Sequence, residues 1–234
     1  MAKLTKFSAI KARAEKRRGG AEALAAALPE IPDPAGLRAL PDARVLAEMT
    51  KRVFCAGFVW QVIDAKWEGF EAAFSGFDPA FLAFAPDEHW EQLSVDPRIV
   101  RNGAKILSVR DNARFVRELA AEHGGSGRFL ADWPANDQAG LLKLLGKRGS
   151  RLGGMTGQYL LRFLGRDGFI LSTDVVACLR DAGVEISQSA TSQSDLKHIQ
   201  EAFNRWAQES GLPYTHLSRI CAMSIGENRA AEPH

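Results

Sequence analysis

Between Leu46 and Phe74 the apolar side chains fall at Leu46, Met49, Val53, Ala56, Trp60, Ile63, Trp67, Phe70 and Phe74, and every step is three or four residues. That spacing returns each side chain to one face of a helix and is out of phase with the two-residue alternation of a strand. The stretch is predicted helical, with Gly57 and Gly69 as places where it bends or splits and Phe77-Asp78-Pro79 as its end. The same period returns from Asp96-Pro97 to about Ala121 through Ile99, Ile106, Val109, Ala113, Val116 and Ala120, closed by His123-Gly124-Gly125. Shorter helical stretches are Leu141 to Leu145, Tyr159 to Leu164 and Thr173 to Leu179, and a further helix from Asp195 to Glu209 opens on Ser192-x-x-Asp195, a relative of the capping box. Strand signals are nearly absent, so the fold class is all-α, a helical globule of short, connected helices.

Apolar residues make up 46% of the chain and charged residues 25%, a balance that builds a core without covalent staples. The cysteines Cys55, Cys178 and Cys221 are odd in number and contain no CxxC pair, which argues against a disulfide framework and a zinc knuckle and for a reducing, cytoplasmic setting. No apolar run reaches the roughly 18 to 20 residues of a membrane span, and the basic start is not that of an export signal. The net charge of +2 is unevenly spread: Met1 to Arg18 holds Lys3, Lys6, Lys11, Arg13, Lys16, Arg17 and Arg18 against Glu15. Pro29, Pro32 and Pro34 prevent a continuous helix after it. The expected organisation is therefore a basic arm and Pro/Ala-rich connector over 1–45, a helical domain over 46–228 and a tail over 229–234. The arm either lies on phosphates or is a solvated end.

Two stretches point to a family. Ala56-Gly57-Phe58-Val59-Trp60, Phe77-Asp78-Pro79, Ile99-Val100-Arg101-Asn102, Lys105-Ile106 and Asn112-Ala113 follow in order, and Lys147-Arg148-Gly149, Leu152-Gly153-Gly154-Met155-Thr156 and Tyr159 come after them. In order and spacing, roughly Leu46 to Cys178 resembles the 3-methyladenine DNA glycosylase I family. The resemblance implies the helix-hairpin-helix glycosylase superfamily, in which the hairpin holds the DNA backbone and a damaged base enters a pocket between helices. It implies hydrolysis of the N-glycosidic bond of an alkylated purine in double-stranded DNA; the chain is expected to act as a monomer without a cofactor.

The residues suit that chemistry. A glycine-rich bend at Gly153, Gly154 and Thr156 presents backbone N–H groups to phosphate, and Lys147, Arg148 and Arg151 add a positive field, with Lys143, Arg162 and Arg166 nearby. Arg98, Arg101 and Lys105 share one helix face and extend the basic footprint. A helix-ending glycine turn with ordinary surface charges accounts for the same residues without DNA. Rotating a base out of the stack costs a few kcal/mol, which an aromatic wall can offset at roughly 1 to 3 kcal/mol per base. Trp60 occupies the place of the family's pocket tryptophan; it also lies on the apolar stripe, so simple core packing remains open. Asp174 is the candidate catalytic carboxylate if the segment Leu171-Ser172-Thr173-Asp174 slips by two against the superfamily. Without the slip Ser172 takes that place, and Asp174 then serves the start of a helix.

Two departures stand out. Members of the family hold zinc with a Cys and a His near the N-terminus and a His-x3-Cys pair after the hairpin, whereas here only Cys178 remains, with Asp174 at the His position. No metal is expected, and His216 and Cys221 are the nearest substitutes. The family's base-reading carboxylate stands eight residues before the tryptophan, where this chain has Arg52. A cation there repels a cationic base, so either Arg52 points away or the substrate differs. Glu48, twelve residues before Trp60 and on roughly the same helix face, is either the substitute carboxylate or a surface acid one step from the apolar stripe. Missing ligands and a missing reader also allow a helix-hairpin-helix protein that binds lesions without excising them.

Overall fold

The computed structural model describes residues 4–31 and 33–225, so the expected tail over 229–234 and Met1 to Lys3 lie outside it. Fifteen α-helices and no strand occur among the described residues: α1 (Phe7–Arg18), α2 (Ala21–Ala26), α3 (Pro34–Ala39), α4 (Asp42–Cys55), α5 (Trp60–Ala65), α6 (Trp67–Ala73), α7 (Pro79–Leu82), α8 (Asp87–Val95), α9 (Gly103–His123), α10 (Ser126–Asp132), α11 (Gln138–Arg148), α12 (Gly154–Phe163), α13 (Thr173–Asp181), α14 (Gln193–Ser210) and α15 (Tyr214–Ile225). The all-α expectation holds, and none of these helices is long and apolar enough to cross a membrane.

The Leu46–Phe74 stripe is three helices, not one. Gly57 has φ +74°, a left-handed conformation that an L side chain rarely adopts, and it ends the run after α4. The chain restarts at Trp60 and breaks again at Lys66. Apolar period alone carries no information on backbone turns, because each new helix resumes in register with the buried face. Likewise the helix expected from Asp96 begins later, where the Asn102 side chain accepts from the Lys105 N–H and caps α9, while Gly124 closes it in the left-handed region. At Ser192 and Asp195 the capping box forms in full, each side chain accepting from the other's backbone N–H.

The chain divides into two units. One is built from Met1–Pro32, Pro134–Gly140 and Asp167–His234, the other from Asp33–Trp133 and Leu141–Arg166. In the first unit α1 and α13 lie on α15, around Phe7, Ile10, Leu179, Phe203, Trp206, Leu217 and Ile220. Each such side chain removed from water contributes about 1.5 to 3 kcal/mol. The basic arm is therefore a packed helix: Phe7, Ile10 and Ala14 recur at three and four residues between the lysines and arginines, and all three are buried.

In the second unit α4 packs on α9 and α12, and α3 on α10. Phe54, Phe70, Phe74 and Phe77 form the aromatic part of its core, with Trp67 stacked on Phe70 and Phe77. This places the ends of α4 and α12 side by side, which is what assembles the candidate site.

Candidate functional site

The glycine bend sits between α11 and α12. Gly149 N–H closes on the Leu145 carbonyl at 2.9 Å, Arg151 turns into the left-handed region at φ +61°, and Leu152 drops fully into the core. Gly157, one turn into α12, lets the chain fold back closely: a Cβ there would stand 2.5 Å from the Leu152 carbonyl oxygen. On the other side α9 holds the bend through Asn112, which is entirely buried and exchanges two hydrogen bonds with the Ser150 backbone. Gly153 and Gly154 are exposed, and no side chain caps the start of α12. Its first N–H groups are thus left for solvent or an anion.

Of the expected basic residues, Lys147 and Arg151 are exposed beside the bend, as is Arg101 ahead of α9, and Thr156 is half-buried. Four differ from expectation: Arg98 is ion-paired with Asp96 at 2.6 Å, Arg166 is buried with its guanidinium on the Leu130 and Trp133 carbonyls, and Lys105 and Arg148 are engaged as follows. Lys105 is 93% removed from solvent, because its ammonium donates to the Phe54 and Ala56 carbonyls at 3.1 and 2.6 Å. Burial first, then the positive charge of Arg151, lowers its pKa. It terminates α4 by satisfying carbonyls left over at that end, and so cannot extend a surface footprint. Arg148 bonds Glu118 at 3.1 Å and Glu122 at 2.9 Å, so its charge is met within the protein.

Further along α12, Tyr159 and Phe163 set their edges against Trp60 at the start of α5, with ring centres 5.2 and 5.6 Å away. Neither ring partner emerged from sequence as a pocket residue; both lie on the apolar face of α12 at i and i+4, the only signal available. Phe58 and Val59, immediately before Trp60, are exposed apolar side chains that sequence reasoning also passed over.

Into this aromatic corner comes Arg52. It does not point away: it is 4% exposed, and its guanidinium carbon lies 3.8 Å from the Phe163 ring centre and 4.9 Å from that of Trp60. Glu48, one turn earlier on α4, brings Oε1 to 2.6 Å from Arg52 Nε. The approach is ionic but badly angled, and among the described residues Glu48 Oε1 and Arg52 Nε and Nη1 make no hydrogen bond. Burial pushes the Glu48 carboxyl above its ordinary range, against the pull of Arg52 and Lys51 and with a small push from Asp64. The structure therefore brings Glu48, Arg52 and Trp60 together, as a carboxylate and a cation under an indole.

Asp174 belongs to the first unit, in the opening turn of α13, where Ser172 is the N-cap and accepts from the Val175 N–H. An acid there complements the helix dipole. Cys178 in the same helix is buried; Ser224 Oγ stands 3.4 Å away and Arg13 Nη2 donates at 3.8 Å. Cys221 also bonds it, which holds the Cys178 thiol down at about 7 and pushes Cys221 up. Two thiols facing a guanidinium do not suit a dication, and His216 is engaged with the Pro29 carbonyl at 2.8 Å. The residues present do not fit a zinc ion.

Residues 36–141 match the family model for methyladenine glycosylase. No curated protein matches the chain. Among solved structures it is similar to 3-methyladenine DNA glycosylase I from Staphylococcus aureus, at 22% identity and a TM-score of 0.48, covering 53% of this chain and 77% of that one. A variant of 3-methyladenine DNA glycosylase I in complex with 3-methyladenine matches at 21% identity and a TM-score of 0.48, over 54% of this chain and 80% of the other. A solution structure of a 3-methyladenine DNA glycosylase I spans 99% of this chain and 95% of its own, at 14% identity and a TM-score of 0.37.

Proposed function

Because residues 36–141 belong to the methyladenine glycosylase family, we propose that this chain is a DNA repair glycosylase that hydrolyses the N-glycosidic bond of an alkylated purine rotated out of double-stranded DNA. One observation carries the proposal: α12 begins with exposed, uncapped Gly153 and Gly154 and carries, on its own apolar face, the rings that frame Trp60. At a rise of about 1.5 Å per residue, Tyr159 and Phe163 follow Gly154 by roughly 8 and 14 Å along the axis. In this reading one helix couples a phosphate-binding start to an aromatic wall at nucleotide scale.

In this reading the N–H groups at the start of α12 bind a phosphate, with Lys147, Arg151 and Arg101 supplying attraction of no sequence preference. Phe58 and Val59 are placed to fill the gap left in the stack, and Trp60 receives the extruded base. Glu48 is the carboxylate of the pocket. Its raised pKa suits it to take the proton of an attacking water. Asp174 is the second carboxylate to be tested. The C1′–N bond breaks with its electron pair going to the base, and water oxygen adds to C1′ to leave an abasic site.

Base release from methylated duplex DNA tests this. Free base that depends on Trp60 supports excision; salt-sensitive duplex binding with no released base supports instead a lesion-binding protein, a reading favoured by the Arg52 guanidinium standing in the corner. Absence of salt-dependent duplex binding ends both.

A further inference from the structure

The seat of Arg52 deepens the glycosylase reading, on which it rests, by specifying the base. A cationic purine is attracted to the electron-rich face of an indole or phenyl ring. Here one face of each ring is already held by a permanent cation of the protein, 3.8 Å from Phe163 and 4.9 Å from Trp60. An arginine does not lose its charge to make way, so a cationic base would meet like charge at stacking distance.

The same residue has unused capacity. Arg52 is 4% exposed; its Nε is ion-paired with Glu48 Oε1 at 2.6 Å, and its Nη1 makes no hydrogen bond among the described residues. Buried donors and acceptors are ordinarily satisfied, and each left open costs free energy until something supplies its partner. The corner is reachable, since the adjoining Phe163 is 37% exposed and Phe58 42%. A guanidinium presents paired donors that match adjacent oxygen and nitrogen acceptors, such as the O6 and N7 of a 6-oxopurine.

We propose that this pocket takes a neutral purine with a carbonyl edge, a 6-oxopurine, in place of a cationic methylated base, and that Arg52 is the residue that selects it and assists its departure. A neutral base leaves with the bond's electron pair and so develops negative charge, whereas a cationic base leaves neutral. Arg52 holds that charge where it forms. One water is consumed: its oxygen bonds C1′, one of its protons passes to the departing base, and a neutral free base and an abasic sugar result. No oxidant or metal enters the balance.

Single-turnover base release by the full chain decides the matter, using duplexes of one sequence with either a single hypoxanthine or methylation-generated 3-methyladenine. The wild type is expected to release hypoxanthine about tenfold or more faster, the discrimination available to a site built around polar contacts. Arg52→Gln, which keeps a donor and loses the charge, is expected to slow hypoxanthine release roughly 100-fold and to shift the ratio of the two release rates toward 3-methyladenine. Faster release of 3-methyladenine by the wild type overturns the neutral-base proposal and leaves the glycosylase reading standing. So does an unchanged ratio in a folded Arg52→Gln protein. Release of neither base overturns both. Should Arg52→Gln not fold, the wild-type ratio alone decides.

Discussion

Asn112 Oδ1 accepts from the Ser150 backbone N–H at 2.8 Å while its amide nitrogen donates to the Ser150 carbonyl at 3.1 Å, so one buried side chain on α9 fixes the turn that precedes α12. Asn112→Ala removes both bonds and leaves a backbone donor and acceptor open. At about 1 kcal/mol per bond plus the cost of open partners, it is expected to destabilise the protein by roughly 2 to 4 kcal/mol. Urea denaturation measures this. Duplex affinity is expected to fall at temperatures where the variant is still folded, because the turn is no longer held. Unchanged affinity in the folded variant would remove the turn from the DNA-contacting surface.

The exposed and the buried cations separate by salt. Lys147→Ala and Arg151→Ala each remove an exposed charge beside the bend, and each is expected to reduce the slope of log affinity against log salt by about 1. Lys105→Met leaves two carbonyls at the end of α4 without their donor. It is expected to cost about 1 to 3 kcal/mol of stability and to leave the salt slope unchanged. A slope that changes with Lys105 and not with Lys147 would reverse the assignment.

Lys105 also marks where sequence reasoning ends. Helical spacing placed Arg98, Arg101 and Lys105 on one face, but α9 starts only at Gly103, after Arg98 and Arg101, and spacing does not say that Lys105 meets the carbonyl end of another helix. The helices of the core were legible because burial imposes a period; α1 was obscured because its three buried apolar residues stand among seven cations and one acid up to Arg18. Trp60, Glu48 and Arg52 were legible as a group from helical phase and from the resemblance. The direction of Arg52 was not, since a guanidinium at that position satisfies the same pattern whether it faces solvent or an aromatic ring. Tyr159 and Phe163 come from a helix about a hundred residues further on, and only the contact of α4 with α12 brings them in.

Trp60 is expected to act through its face. Trp60→Ala removes stacking worth roughly 1 to 3 kcal/mol, and so weakens binding of a duplex carrying an extrudable base about 5- to 150-fold relative to an undamaged duplex. Trp60→Phe keeps a ring and is expected to retain most of the preference. Gel-shift titrations on the two duplexes measure it. Equal loss on both would assign the indole to packing alone.

Glu48 links the pocket to pH. Its carboxyl is raised above the ordinary 4.5 by burial, so between that value and its folded value the native state binds more protons than the unfolded one. Its contribution is fully present below about 4.5 and is lost as pH rises through the folded value. Glu48→Gln keeps the shape without the titration. Relative to the wild type it is expected to gain stability as pH is raised through that window, by denaturant melts at successive pH. In base release Glu48→Gln is expected to be slow, and Asp174→Asn close to wild type. The reverse order would move the reaction's carboxylate to α13.

Asp195 has the opposite sign. Its carboxylate accepts from the Ser187 N–H at 2.9 Å, the Ser187 hydroxyl at 2.7 Å and the Ser192 N–H at 3.2 Å. Those donors, the Ser187 backbone first, hold its pKa down at about 2 from an ordinary 3.8. The stabilisation is present above 3.8 and is lost as pH falls toward 2, where the protonated group can no longer accept from all of them. Asp195→Asn therefore loses stability against the wild type at neutral pH, and the gap between the two closes as acid is added. Both effects trace to the start of α14, because the box formed with Ser192 satisfies two backbone donors there at once. A gap that stays constant down to pH about 2 would mean that the asparagine fails for its shape and that the charge is irrelevant to the cap.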